Sequence, residues 1–264
     1  MEITEVSDAG AVPTIKVLNR SGSDALILDG TELRGAKQNR MVNVTIVAGH
    51  GTTTHVPVSC VEAGRWSYRS NRFASSRHTV ASRLRNRKAH HVADNLASCG
   101  APAANQREVW REVGDYLARG RTAAPTSAMD DLFTRHRDRM ESVVSDLAAI
   151  EADGAMVRLG GQIIAVDLFG HRDTFRKAWP ALLRGYAMDA ILEDGGGGAP
   201  MTAHAARGRL RELVDGVTVT HRPVPGVGEY FALRGSRVVG EVVRHGGRVV
   251  HVACFRRRRA REAA

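Results

Sequence analysis

The sequence predicts an α+β protein in which strands from both ends of the chain form an antiparallel β-sheet or partial barrel with a helical central segment. Short β-branched segments of alternating polarity recur in the first and last thirds, whereas the middle third follows the helical period. The chain has 264 residues, and its hydrophobic fraction of 43% is ordinary for a protein that buries a core. Strands at both ends predict a single interlocked domain over residues 1–255, followed by a basic disordered tail over residues 256–264.

The first third contains candidate strands separated by turn residues. Asp29-Gly30 and Gly49-His50-Gly51 interrupt the extended segments, because glycine and aspartate favour turns. Pro57 lacks an N–H group, so its strand is expected at an edge of the sheet or close to its own end. The candidate strands are residues 14–19, 25–28, 41–47 and 52–58.

The middle third contains three candidate helices. The first two are predicted over residues 79–96 and 106–117. The third has the clearest helical spacing, because its apolar residues from Met129 to Ile150 recur at intervals of three, four and seven. Ser127 suits the capping position of this helix, since the carboxylate of Asp130 follows three residues later.

The last third mixes helices and strands. Gly160-Gly161 favours the turn of a hairpin. The helix that contains Pro180 is expected to begin near Trp179, because proline is unfavourable inside a helix. The predicted elements are a hairpin over residues 154–168, a helix over 175–192, a flexible glycine connector over 195–198, a helix over 202–214, and strands over 217–220, 229–233, 237–243 and 248–255.

The net charge of +10 is concentrated in two places. No acidic residue interrupts the basic block between Arg65 and Lys88, and residues 256–261 contain five arginines. Such blocks suit the phosphates of a nucleotide or a nucleic acid, but they equally suit a solvated basic helix face. Aromatic residues make up only 5% of the chain, so few side chains are available to stack on the bases of a nucleic acid. Nucleic-acid binding is therefore the less favoured of these interpretations.

The cysteine count and the apolar runs predict a cytoplasmic protein with no membrane partner. Three widely separated cysteines do not form a disulfide framework, which favours a reducing compartment. No apolar run approaches the roughly 18 residues that a membrane helix needs, and the first residues do not resemble a secretory signal. No spacing of ligand residues predicts a metal site, and the cofactor and oligomeric state stay open.

Polar residues concentrate in two segments, residues 29–40 and residues 57–66, which are expected to meet at one end of the sheet. Glu32 and Glu62 suit acid–base catalysis, because one carboxyl can hold a proton while the other stays ionised. The alternative is that each forms a salt bridge with a neighbouring arginine. Cys60 suits a nucleophile if a base lies beside it, and otherwise a small buried side chain.

The remaining residues of the two segments suit ligand binding. Arg40 and Arg65 are able to clamp a phosphate or carboxylate through the guanidinium fork, with an internal ion pair as the alternative. Gln38 and Asn39 suit recognition of a base or ribose, or else fix local turns. Trp66 suits stacking on a base, or else packs as a core or rim aromatic.

These segments resemble the ARG and rhodanese-phosphatase-superfamily-associated protein domain family, a functionally uncharacterised bacterial family. The resemblance rests on DGTELRGAKQNR at residues 29–40 and PVSCVEAGRW at residues 57–66, and on shorter matches along nearly the whole chain. It implies an association with ADP-ribosylglycohydrolases and phosphatase-like proteins, and so a link to NAD or ADP-ribose metabolism. Similar chains usually begin further upstream, which leaves open whether a strand at the edge of the sheet is missing.

Three functions are therefore open. The first is binding or processing of a nucleotide-derived ligand in a polar cleft, with arginines holding its anionic group and a glutamate moving protons. The second is a non-catalytic module that binds a ligand or a protein. The third is nucleic-acid binding through the basic segments. Whether the protein is an enzyme is not decided by the sequence.

Overall fold

A computed structural model describes residues 1–193 and 201–257, and within them the chain forms six α-helices and fourteen β-strands. The strands are β1 (Glu2–Glu5), β2 (Thr14–Leu18), β3 (Ala25–Ile27), β4 (Thr31–Gly35), β5 (Arg40–Val42), β6 (Ile46–Ala48), β7 (Thr53–Cys60), β8 (Phe73–Thr79), β9 (Gly154–Leu159), β10 (Gln162–Phe169), β11 (Thr218–Arg222), β12 (Glu229–Arg234), β13 (Val238–His245) and β14 (Arg248–Arg256). The helices are α1 (Ser82–Ser98), α2 (Gln106–Arg119), α3 (Met129–Arg135), α4 (Arg137–Leu147), α5 (Arg172–Leu192) and α6 (Ala203–Val214).

The strands form two antiparallel sheets of six strands and one short ribbon, which confirms the predicted α+β class. The N-terminal sheet has the order β1-β2-β7-β5-β4-β8, and the C-terminal sheet has the order β11-β12-β13-β14-β10-β9. Strands β3 and β6 pair with each other as the ribbon. Hydrogen bonds from Val227 N to Val47 O and from Thr45 N to Glu241 Oε1 connect the ribbon region to the C-terminal sheet.

The largest hydrophobic cluster holds the helical centre against the sheets. Leu84 of α1, Tyr116 of α2, Leu132 of α3 and Phe175 of α5 are buried in it together with Phe255 of β14. Because these helices present one apolar face each, burial in a common cluster fixes their positions relative to both sheets. A second cluster joins inward-pointing side chains of β2 and β7, such as Ile15 and Val56, to Leu96 of α1 and Tyr230 of β12.

The structure corrects two helical predictions. The helix expected from Ser127 onward is broken at His136, which ends α3, begins α4 and has its Nε2 3.1 Å from the carbonyl oxygen of Gly120. Ser127 does not cap it: its φ is 52° and the capping position falls on Ala128. Helix α5 begins at Arg172 rather than near Trp179, because the His171 side chain caps it and Pro180 is accommodated inside.

The strand predictions fail where buried residues are polar. Strands β1, β4 and β8 were not predicted, and the segment expected as one strand over residues 41–47 is divided into β5 and β6. Pro57 lies in β7, between β2 and β5, and not in an edge strand. Its missing N–H causes no loss, because β5 ends at Val42 and the backbone N–H of Asn43 donates to the Pro57 carbonyl oxygen.

The predicted glycine connector at 195–198 lies outside the described residues, as do residues 258–264 of the predicted tail. Arg256, which was expected to begin the tail, is the last residue of β14. Within residues 1–193 and 201–257, no helix has both the length and the apolar composition needed to cross a membrane.

Candidate functional site

The two polar segments meet, as the sequence predicts. Arg40 of β5 pairs with Cys60 of β7, which places the ends of both segments side by side. The backbone N–H of Asn39 donates to Glu62 Oε2 at 2.9 Å, and the Gln38 side chain donates to the Glu62 carbonyl oxygen. All of the predicted binding and catalytic residues except Trp66 are buried, so the region is closed in this conformation.

Glu62 and Arg65 form a buried ion pair, which we call the clasp, in which every polar side-chain atom is hydrogen-bonded. Arg65 Nη2 lies 2.6 Å from Glu62 Oε2 and its Nε lies 2.8 Å from Oε1, while Thr126 Oγ1 donates to Oε1 at 2.6 Å. Burial opposes ionisation of Glu62, but these bonds and the N–H of Asn39 lower its pKa. The remaining Arg65 donors go to the carbonyl oxygens of Gly35, Ala36 and Ser67 and to Asn39 Oδ1.

The saturation of both partners opposes the predicted catalytic role of Glu62 and the predicted binding role of Arg65. Each donor and acceptor that a ligand would need is already used within the protein. Asn39 belongs to the same clasp through its backbone N–H and its side-chain oxygen. The ion-pair alternative of the sequence prediction therefore describes these residues better than ligand binding.

Arg40 is equally buried but is only partly bonded. Its Nη1 donates to Gln38 Oε1 at 2.7 Å and to Cys60 Sγ at 2.6 Å. Its Nε and Nη2 have no hydrogen-bond partner among the described residues, and the nearest carboxylate, Glu5 Oε1, lies 3.8 Å from Nη2. Unpaired donors on a buried guanidinium are costly, which singles out this position. We call Arg40, Gln38, Cys60, Glu5 and Trp66 the Arg40 site.

Aromatic side chains and an N-terminal loop cover the Arg40 site. The Trp66 ring lies 5.4 Å from Arg40 Cζ, and its side chain is 47% exposed. Lys37 lies over both Trp66 and Tyr68, at 5.6 Å and 4.9 Å from their ring centres. The loop between β1 and β2 is attached here, because Lys37 Nζ donates to the Ala9 carbonyl oxygen at 2.9 Å and Tyr68 donates to that of Asp8 at 3.2 Å.

Cys60 is not in the state that a nucleophile requires. Burial of the thiol raises its pKa to about 11, although the neighbouring Arg40 acts in the opposite direction. The side chain is fully buried and hydrogen-bonded by Arg40. A thiol that stays protonated at neutral pH is a poor nucleophile, so this environment opposes the predicted catalytic role.

Glu32 lies apart from Arg40. In the paired strands Leu33 is opposite Arg40 and Glu32 is opposite Met41, so the alternation of side chains places Glu32 on the other face of the sheet. The expectation of one cleft that contains both residues is therefore wrong. Glu32 is fully buried, and neither carboxyl oxygen has a hydrogen-bond partner among the described residues.

A histidine and an aspartate that the sequence reasoning did not place there lie beside Glu32. His78 Nδ1 is 3.7 Å from Glu32 Oε2, and His78 Nε2 is 3.2 Å from Asp130 Oδ1. Burial and the Asp130 carboxylate raise the pKa of Glu32 well above its usual value, whereas burial lowers the pKa of His78. We call Glu32, His78 and Asp130 the Glu32 pocket.

A separate group of charges, absent from the sequence prediction, lies at the centre of the molecule. Arg85 Nη2 is 2.6 Å from Asp29 Oδ1 and 3.0 Å from Asp167 Oδ1, and Lys88 Nζ is 2.5 Å from Asp29 Oδ2. His251 Nε2 is 3.2 Å from Asp167 Oδ1. We call Asp29, Arg85, Lys88, Asp167 and His251 the central ion network. Burial opposes ionisation of Asp167, but Arg85 and His251 lower its pKa to about 2.

Two members of this network, together with the neighbouring Glu241, have the composition of a metal site. Asp29, Glu241 and His251 each offer an atom within 4.8 Å of the others. Groups of the protein itself already contact these ligand atoms, because Lys88 binds Asp29. The backbone N–H of Thr45 donates to Glu241 Oε1 at 3.0 Å, and its hydroxyl lies 3.0 Å from His251 Nδ1. The adjoining cavity has a volume of about 10 Å³, room for one water-sized occupant.

The fold and the two motif segments define an α+β protein whose closed polar region combines a saturated clasp with two incompletely bonded groups. The chain belongs to the ARG and Rhodanese-Phosphatase-superfamily-associated Protein domain family, whose model matches residues 1–255. No curated protein and no solved structure matches the chain.

Proposed function

We propose that this protein binds a nucleotide-derived ligand at the Arg40 site, with the anionic group on Arg40 and the base on Trp66. The observation that carries the proposal is the pair of nitrogen atoms, Nε and Nη2, that have no hydrogen-bond partner among the described residues on the fully buried Arg40, beneath a half-exposed tryptophan. A guanidinium offers donors in the geometry that phosphate and carboxylate oxygens accept. An indole ring stacks on the flat face of any of the nucleobases.

The loop over residues 6–13 is the element that must move to admit the ligand. Two side-chain contacts attach it to the rest of the site, from Lys37 and Tyr68 to backbone oxygens of the loop. Contacts at an exposed surface open at small cost in free energy. Glu5 ends β1 at the start of this loop, where it pairs with Ile15, and its carboxylate near Arg40 accepts a hydrogen bond from the backbone N–H of Lys37.

ADP-ribose and NAD are the first ligands to test. The family description names ARG and rhodanese-phosphatase-superfamily proteins. The sequence resemblance implies that ARG denotes ADP-ribosylglycohydrolases, and this association supports a ligand derived from NAD. ADP-ribose also has the chemistry of the site, because it combines anionic phosphates with an adenine base. This association rests on the family description alone and carries no information about mechanism.

Binding without turnover is the activity that the Arg40 site supports best. Glu62 is held ionised in its clasp, and Cys60 keeps its proton. Neither residue is then suited to transfer a proton to or from a ligand on Arg40. Glu32, the remaining predicted acid, lies on the opposite face of the sheet.

The test is the affinity of ADP-ribose for the wild type and for two tryptophan variants, measured by calorimetry and by thermal shift. Trp66→Ala is expected to weaken binding at least about tenfold, the effect of losing one base–aromatic stack. Trp110→Ala, which removes a comparably exposed tryptophan from α2, should leave the affinity unchanged. Chromatography of the recovered ligand distinguishes binding from turnover, because a bound but unprocessed ligand elutes intact.

Two outcomes would overturn the proposal. One is that ADP-ribose, NAD and AMP all fail to raise the melting temperature, since a ligand specific for the native state must stabilise it. The other is equal loss of affinity in both tryptophan variants. Nucleic-acid binding is disfavoured as an alternative, because Arg65, Arg85 and Lys88 of the basic block are buried in ion pairs.

A further inference from the structure

The Glu32 pocket contains a buried carboxyl group with unused hydrogen-bonding capacity. Neither oxygen of Glu32 has a hydrogen-bond partner among the described residues, and the side chain is fully buried. A protonated carboxyl offers one donor and one acceptor side by side. A native structure that leaves both unsatisfied bears a desolvation cost, and this requires an explanation such as a missing partner.

The backbone around this pocket is strained at the positions that shape it. Strand β8 bulges opposite Glu32, because Thr31 pairs with Thr79 whereas Leu33 pairs with Ser75. At the bulge Arg77 has a φ of 66°, which turns the adjacent His78 toward Glu32. Bulges and left-handed non-glycine residues recur beside functional sites, where the surrounding structure holds them in place.

The wall opposite the sheet is α3. His78 stacks on Phe133 of α3, with ring centres 3.6 Å apart and planes within 5° of parallel. Ser127, just before α3, has a φ of 52°. Asp130 of α3 keeps 17% of its side chain exposed and pairs with the partly exposed Arg34 at 3.2 Å, so this pair forms a partly exposed edge of the pocket.

The charges around Glu32 select against an anionic ligand. Asp130 and Asp131 face it from α3, and Glu62 acts on it from the end of β7. Arg34 of its own strand and His78 of β8 are the cationic or titratable groups on the other sides. Burial and the carboxylates of Asp130, Glu62 and Asp131 raise the pKa of Glu32 well above its usual value, which favours its protonated form. An added anion would meet the same repulsion.

We propose that the Glu32 pocket binds a carboxamide, or another planar uncharged group that carries an N–H donor beside a carbonyl acceptor. The Glu32 hydroxyl donates to the ligand's carbonyl oxygen, and the Glu32 carbonyl oxygen accepts from the ligand's N–H. The hydrogen-bond donor and the acceptor of the buried carboxyl then both have a partner. The ligand enters by opening of the partly exposed Arg34–Asp130 pair. The pocket is independent of the Arg40 site because the sheet lies between them.

Three probes of the same shape test the proposal: acetamide, acetate and acetamidine. Binding is followed by NMR through the imidazole signals of His78 and the backbone signals of α3. Acetamide is expected to bind saturably, with an affinity at least about tenfold above that of acetate, the difference made by one additional hydrogen bond. Tighter binding of acetate, or acetamidine as the only probe that binds, would overturn the proposal.

Variants of Glu32 separate recognition from a structural role. Glu32→Leu should abolish acetamide binding, whereas Glu229→Leu, at an exposed residue of β12, should not affect it. Glu32→Gln keeps a donor and an acceptor in the same place and should still bind. In the wild type the affinity must fall as rising pH ionises Glu32, and in Glu32→Gln this dependence must vanish. An affinity for acetamide that is unchanged in Glu32→Leu, or a pH dependence that persists in Glu32→Gln, contradicts the proposal.

Discussion

The central ion network and the N-terminal polar region differ in how completely their buried charges are bonded. In the network, Arg85 donates to Asp29, Asp167 and Tyr186, and Lys88 completes the coordination of Asp29. In the N-terminal region, Arg40 keeps two unpaired donor atoms and Glu32 keeps two unpaired oxygens. Burial of a charge is therefore common to both regions, and only the unpaired groups point to a missing ligand.

This difference changes how buried ionisable residues should be interpreted. A saturated group of charges is explained by the fold itself, although apolar residues of similar volume are often no less stable. An unsaturated group has no such explanation, because the protein bears the desolvation cost and gains no bond. Perturbed pKa values occur in both regions, so they do not separate structural from functional positions on their own.

The largest effect is expected from the central ion network. Arg85→Met should lower the free energy of unfolding by about 3–5 kcal/mol, because it leaves the buried carboxylates of Asp29 and Asp167 without their common partner. Urea denaturation measures the change. Arg87→Met on the same helix is the control, since the Arg87 side chain is 41% exposed and its contact with Glu112 is long at 3.6 Å. Similar losses in both variants would show that the network is not a structural unit.

A smaller effect on the free energy of unfolding is expected from the two arginines of the N-terminal region. Arg65→Lys should lower the free energy of unfolding by about 2–3 kcal/mol, because a lysine cannot replace a fork that bonds Glu62 and several carbonyl oxygens. Arg40→Lys should lower it by less than about 1 kcal/mol, since only Nη1 is bonded within the protein. Thermal or urea denaturation compares them, and a reversed order would mean that Arg40 is the structural residue.

Sequence patterns predicted several helices and most of the C-terminal strands. The hairpin of β9 and β10, the helices α1, α2 and α6 and the closing strands follow patterns of three, four or two residues, and they formed where expected. Strands β4 and β8 were missed because Glu32, His78 and Thr79 are buried polar residues, which hide the alternation. The break at His136 depends on a contact with Gly120 that no local pattern contains.

The candidate site was predictable in its location but not in its bonding. The motif around Arg40 lies at the start of β5 and the motif around Glu62 at the end of β7. These strands are neighbours in one sheet, although β6 separates them in the chain. Which face Glu32 occupies depends on the register of β4 with β5, which the sequence does not specify. The central ion network combines α1 with β10 and β14, and residues so distant in the chain have no common sequence signal.

The smallest effect is a difference in cysteine reactivity, and it tests whether the Arg40 site is closed in solution. Burial raises the pKa of Cys60 to about 11 and that of Cys254 to about 12, whereas Cys99 is exposed. Iodoacetamide at mildly alkaline pH should therefore modify Cys99 and spare the other two, because the thiolate is the reacting form. Mass spectrometry of the labelled peptides gives the order of modification. Labelling of Cys60 as fast as Cys99 would mean that the loop over residues 6–13 is open most of the time, and Arg40 would then be hydrated rather than unpaired.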